Sequence, residues 1–292
     1  MSVREAGLVL LLLAAGTLPA GELADRFVEA ARAAYSTAAY ADYTNSLLTT
    51  GEFRGWTGRA DLPPGRLVRW IDVEGTCNCR DVGGWNGLVS GRVYRGAEPN
   101  CHSRDPKAPD RFHDLSATLA GLDTLSKTLG IRTDLDLRAG LESPTPDETP
   151  IPGARLVRLP CGSYADLLPE TGTVARILRV FADRANYPVY LHCYGGADRT
   201  GSIAFILEGL CGASETDLCI DYELTSFSRI GAGRHRMDGP YHYASLVKAM
   251  KSRPGTTLTD KIERYVRESC GLKQDEIAAI RRMLVQNENG KR

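Results

Sequence analysis

Downstream of residue 65 the chain alternates short runs of Leu and β-branched residues with segments whose apolar positions recur every three or four residues. The short runs at Leu67 to Val73, Arg92 to Arg95, Thr133 to Leu137, Arg155 to Leu159 and Val189 to His192 predict strands. Helical spacing covers Leu115 to Leu129 and Val174 to Ala185. In the second of these, Val174, Ile177, Leu178 and Phe181 share one face, and Arg176, Arg179 and Arg184 turn outward. Such alternation predicts an α/β fold with a mostly parallel central sheet flanked by helices. Leu258 to Glu268, ending at Gly271, and Lys273 to Leu284 predict a helical C-terminal part. Ser143 to Gly153, with four prolines, is expected to be irregular.

The N-terminal part follows a different pattern. Pro63-Pro64-Gly65 marks the boundary of the main domain, residues 66–292, and residues 21–65 read as a helical, then irregular, extension. Leu8 to Ala15 is unbroken Leu, Val and Ala, with Arg4 before it and Leu18-Pro19-Ala20-Gly21 after it. That run is too short to span a bilayer. It predicts a secretory signal over residues 1–20 and a secreted, periplasmic or cell-envelope location. Glu5 and Leu18 depart from the signal pattern. The alternatives are a core helix continuing through Leu23 to Phe27, in a cytoplasmic protein, and the start of a helix-turn-helix.

Charge bears on that last alternative. Lys+Arg and Asp+Glu are both 36, so no global basic field exists to hold nucleic acid or an anionic membrane. The densest positive cluster is local: Arg229, Arg234, His235 and Arg236 in a glycine-flanked loop. The 8 cysteines are too sparse in 292 residues for a disulfide scaffold.

One segment carries chemistry. Val189 to His192 runs into Cys193-Tyr194-Gly195-Gly196-Ala197-Asp198-Arg199-Thr200-Gly201, then into Ser202 to Leu210, an apolar helix with almost no polar face. Such a helix is buried on most sides, and its N-terminus is expected at the C-terminal edge of the sheet, where α/β folds bind ligands. Gly195 and Gly196 let the backbone curl so that successive N–H groups meet in one concavity. The helix N-terminus adds its positive end, and Arg199 adds a planar fork for two phosphate oxygens. Cys193, at the base of this cradle, sits in positive potential that favours its thiolate, a nucleophile for in-line attack on phosphorus. Thr200 is expected to donate a hydrogen bond to the sulfur and so assist hydrolysis of a phosphocysteine. Tyr194, Gly195, Gly196, Ala197 and Gly201 are the expected substrate contacts. No metal or cofactor is required.

The string His192 to Gly201, His-Cys-x-x-Gly-x-Asp-Arg-Thr-Gly, resembles the signature of cysteine-based protein tyrosine phosphatases. Its Asp before the Arg is similar to the atypical bacterial group related to tyrosine and phosphoinositide phosphatases. Asn78 to Gly84, Gly130 to Arg138 and Asp221 to Ser226 resemble further segments of that group, in the expected order, over about residues 70–285. The resemblance implies a protein tyrosine phosphatase-like fold and metal-independent phosphomonoester hydrolysis, with a phosphorylated protein or small phosphomonoester as substrate. Phosphotyrosine is favoured, and dual-specificity or phosphoinositide activity is the alternative. Many relatives carry Lys before that Asp. Here it is Ala197, which leaves Arg199 as the loop's one cation, unless the Arg229 to Arg236 cluster replaces the missing charge.

Plainer readings accompany each residue. Cys193 can be an inert buried thiol, Thr200 an N-cap, and His192 a residue that holds the loop. Asp198 matches the family's general-acid position; Asp166 stands where other tyrosine phosphatases carry their acid on a mobile loop. Arg80 and Asp81 are expected to pair with each other beside the loop. Cys77, Cys79, Cys101 and His102 form a weak metal set. A phosphate-binding module without turnover, or another Cys-loop enzyme such as an arsenate reductase or sulfurtransferase, for which Cys161 or Cys211 offers a second thiol, are the competing functions.

Overall fold

In the computed structural model the described residues are 71–84, 86–100, 116–139, 147–225 and 243–285. The expected signal and extension, the Arg229 to Arg236 cluster, Cys101 and His102 lie outside them. Five strands form one sheet: β1 (Arg80–Asp81), β2 (Val93–Gly96), β3 (Thr133–Asp136), β4 (Arg155–Arg158) and β5 (Val189–His192). Their order is β1-β2-β5-β3-β4, with β1 antiparallel to β2 and every other pairing parallel. β5 therefore occupies the middle, and Gly96, His192 and Asp136 end side by side. The residue after His192 emerges from the centre of the sheet's C-terminal edge, the place where parallel α/β sheets hold ligands.

Alternation along β5 divides the core. Val189 and Leu191 face a large cluster with Leu135 and the C-terminal helices, while Tyr190 faces a smaller one with Tyr94, Leu125 and Ile131. Among the described residues the helices are α1 (Leu119–Asp123), α2 (Thr171–Ala182), α3 (Asp198–Leu210), α4 (Glu215–Leu224), α5 (Tyr243–Lys251), α6 (Leu258–Arg264) and α7 (Gln274–Leu284). α3 is buried at every residue from Thr200 to Leu210, as its lack of a polar face requires. Each of its large apolar side chains contributes about 1.5–3 kcal/mol by leaving water, which fixes the helix and the loop that feeds it.

The expected and observed elements differ in a few places. Residues 71–73 form no strand: Ile71 N–H bonds Cys79 O at 2.9 Å, then Thr76 N–H closes a turn on Val73 O. The edge strand is β1 instead, two residues long and too short to show a period. α2 begins at Thr171 and stops at Ala182, because Asp183 turns extended and its carboxylate accepts Ala185 N–H at 2.9 Å, opening a short 3-10 helix. α1 is capped by Thr118, whose hydroxyl accepts Gly121 N–H at 3.2 Å. No helix among the described residues is long and apolar enough to cross a membrane.

Candidate active site

The loop Cys193 to Ala197 joins β5 to α3, and the structure holds its carbonyl groups from outside. Cys193 O lies 3.1 Å from His192 Nδ1, and Tyr194 O accepts Glu98 N–H at 2.8 Å. Gly195 O accepts Asn78 Nδ2 at 2.8 Å, Gly196 O accepts an Arg95 Nη at 2.8 Å, and Ala197 O accepts Gly201 N–H at 2.9 Å. In a planar trans peptide the N–H points opposite to the C=O. Carbonyls turned outward at Cys193, Tyr194, Gly195 and Gly196 therefore turn the following N–H groups the other way, while Ala197 O begins the hydrogen-bond ladder of α3. The amides of Gly195, Gly196 and Ala197 have no partner among the described residues. The first turn of α3 adds N–H groups of its own, since Ala197 caps it without a side-chain bond. Backbone amides arranged in this way are able to cradle an anion.

Gly196 makes the curl possible. Its φ is +64°, and a Cβ there would stand 2.0 Å from Gly96 O at the end of β2. Only a residue without a side chain permits both the left-handed turn and the approach of strand and loop. Gly196→Ala is expected to cost more than about 2 kcal/mol and most of the turnover. Thermal unfolding and a p-nitrophenyl phosphate assay check this; a variant with normal stability and rate overturns the loop geometry.

Behind the cradle lies a buried ionic scaffold. The Asp221 carboxylate, on α4, accepts Arg80 Nε at 3.0 Å on one oxygen and an Arg95 Nη on the other. Arg80 also donates to Asn78 Oδ1, and Asn78 in turn grips Gly195 O. Arg95 grips Gly196 O. One carboxylate thus anchors both arms that orient the loop. Arg80 does not pair with Asp81, contrary to expectation. Adjacent strand residues point to opposite faces, and Asp81 accepts Gly83 N–H at 2.9 Å, Ser90 Oγ at 2.6 Å and Gly91 N–H at 2.7 Å. Burial, then the neighbouring Arg95, push the Arg80 guanidinium down to about 10, with Asp221 opposing, so it remains a cation at neutral pH.

His192 is fully buried beneath the loop, with Nε2 2.9 Å from Asp134. Burial works against its charge, but Asp134 and Asp136 outweigh it and hold the imidazole above its ordinary value. Arg138 pairs with Glu98 at 2.6 Å and with Asp136 at 2.9 Å, tying the ends of β2 and β3 together.

The other expected residues gather at the same loop. Cys193 is 5% exposed at its base, and Arg199 lies with its guanidinium carbon 5.8 Å from the Tyr194 ring centroid. Thr200 is fully buried and its hydroxyl makes no hydrogen bond among the described residues, so the expected bond to the sulfur is not formed. Nor is Thr200 the N-cap, because α3 starts two residues earlier. Asp198 opens α3 and accepts the Tyr164 phenol, whereas Asp166 is exposed on a 3-10 helix, Tyr164–Leu167. Cys79 contacts Tyr190 OH at 3.2 Å. Sequence reasoning missed Asn78, Arg95, Tyr164 and Ser202. Asn78 stood inside a quoted motif, but Arg95, Tyr164 and Ser202 carry no local signal, since each acts across the fold.

The model of the tyrosine phosphatase family matches residues 71–286. No curated protein matches the chain. Among solved structures, the core catalytic domain of the PP-IP phosphatase SIW14 from S. cerevisiae, in complex with citrate, is 17% identical, with 51% of this chain and 80% of that chain covered and a TM-score of 0.34. A second structure of the Siw14 catalytic core is 15% identical, covering 61% of this chain and 86% of its own, at a TM-score of 0.36. With the family model spanning most of its length, the chain belongs to the tyrosine phosphatase family and is a cysteine-based phosphatase.

Proposed function

We propose that the protein hydrolyses phosphomonoesters, phosphotyrosine foremost, through a phosphocysteine formed on Cys193. The observation that carries this reading is the loop after β5 whose carbonyls at Cys193, Tyr194, Gly195 and Gly196 are each held by a group outside it. Cys193 Sγ attacks phosphorus while the bond to the leaving oxygen breaks and Asp198 delivers a proton to that oxygen. Arg199 and the inward N–H groups stabilise the equatorial oxygens. Water then attacks phosphorus, Asp198 takes its proton, and the sulfur leaves as thiolate. Thr200 enters this second step by turning its otherwise unpartnered hydroxyl to the sulfur.

A single phosphate suits the site. Arg199 is the one cation in the loop, since Ala197 stands where many relatives carry Lys. Arg80 and Arg95 are committed to Asp221 and to the outer side of the loop. A phosphotyrosine peptide is therefore expected to be turned over in preference to an inositol polyphosphate, and the reverse preference overturns that substrate class.

Asp198 supports the acid role better than Asp166. It begins the helix that carries Arg199 and is held by a buried phenol, while Asp166 is solvent-exposed. Asp198→Asn is expected to slow phenyl phosphate about 10²-fold or more and p-nitrophenyl phosphate far less, because p-nitrophenolate leaves without a proton. Asp166→Asn should leave both rates near normal; the opposite pattern moves the acid to Asp166.

A further inference from the structure

Among the described residues only two other than glycine adopt positive φ: Asn78 at 59° and Tyr164 at 57°. A bulky aromatic residue rarely adopts that conformation, and such strain persists where surrounding contacts over-determine it. Asn78 is explained by its bond to Gly195 O. Tyr164 has a different target. Its N–H donates to Ser202 Oγ at 2.7 Å, and Ser202 Oγ donates to Asp198 O at 2.8 Å. Its ring packs edge-on to Tyr222, itself stacked on Tyr243 at 4.0 Å. Its hydroxyl reaches Asp198 Oδ1 and lies 3.0 Å from Tyr222 OH.

We propose that Tyr164 is a positioning residue for catalysis: its phenol donates to Asp198 Oδ1 and so fixes the rotamer of the carboxyl that protonates the leaving group. This inference rests on the reading of Asp198 as general acid. Burial, then Tyr222 and Asp198 themselves, push the Tyr164 phenol far above its ordinary range, so it keeps its proton and donates at every working pH. A phenol has one proton to give. With that proton on Asp198, the Tyr222 hydroxyl is the donor to Tyr164, and a relay Tyr222, Tyr164, Asp198 runs from the core to the loop. The segment that bears Asp166 thus contributes to the site through a phenol two residues earlier. It fixes the rotamer of a carboxyl on α3 instead of supplying one.

The test compares leaving groups. Tyr164→Phe keeps the ring and removes only the hydroxyl. It is expected to lower kcat on phenyl phosphate about tenfold. The burst of p-nitrophenol from p-nitrophenyl phosphate should change less than about twofold. In an Asp198→Asn background the same substitution should add nothing, since the carboxyl it orients is gone. Equal losses on both substrates, or a further loss in that background, overturn the inference and leave Tyr164 a support for the loop. If Asp198→Asn alone shows no dependence on the leaving group, the acid assignment itself fails, and this inference with it. Should Tyr164→Phe not fold, Tyr222→Phe decides. A smaller loss confined to the poor leaving group supports the relay, and a uniform loss overturns it.

Discussion

Cys193→Ser is expected to fold normally and to hydrolyse phosphomonoesters at least about 10⁴-fold more slowly than the natural protein, because loss of a nucleophile removes the covalent route as a whole. The replacement hydroxyl fits the same space, but at neutral pH it stays protonated and attacks phosphorus poorly. Four other described thiols are unsuited to take over. Burial pushes the thiols of Cys79, Cys161 and Cys211 up to about 12 and raises that of Cys270. Cys193 differs from them in place: it alone follows the central strand and sits under the inward amides. Single-turnover assays with ³²P-labelled substrate give the cleanest measurement, as the natural protein should trap acid-stable label on Cys193 and the variant none. Residual turnover above about a tenth of normal places the nucleophile elsewhere. A variant that still binds vanadate or phosphate separates loss of the nucleophile from loss of the cradle.

Asp221→Asn is expected to be the most damaging change away from the reacting atoms. Asp221 is 2% exposed and neutralises two buried guanidiniums. Removing one partner of a buried ionic group leaves charge without compensation and costs roughly 3–5 kcal/mol. Asparagine keeps the shape, but it has one acceptor oxygen for two arginines and adds an N–H that faces a cation. The damage should not stop at stability. Arg95 and the Arg80–Asn78 arm hold Gly196 O and Gly195 O, so a loosened scaffold frees those peptides to turn. The folded fraction should therefore bind vanadate more weakly as well as melt earlier. Urea unfolding and a vanadate titration measure the two effects. Stability within about 1 kcal/mol of normal, with unchanged vanadate affinity, overturns the scaffold.

The contrast between these two residues shows what was legible in the chain. In the proposed mechanism Cys193, Arg199 and the glycines act from one loop, so their spacing in sequence is enough to suggest their roles. β5 and the buried character of α3 were equally plain, since an apolar run and a helix without a polar face are local properties. The sheet's parallel character followed from the alternation of elements. The strand order that puts β5 between β2 and β3 did not, because pairing is set by contacts between distant segments.

Amino-acid order alone determined the fold class, the cysteine-based phosphatase character and the loop proposed to carry the chemistry. Tertiary structure decided how that loop is kept open: Asp221 reaches across 141 positions to Arg80, and Asn78 across 117 to Gly195. It also showed Arg80 and Asp81 to be back to back, and it brought a strained Tyr164 onto Asp198. The physical reason is the same in each case. Hydrogen bonds and ion pairs act over about 3 Å of space, and only folding makes residues a hundred positions apart into neighbours at that distance.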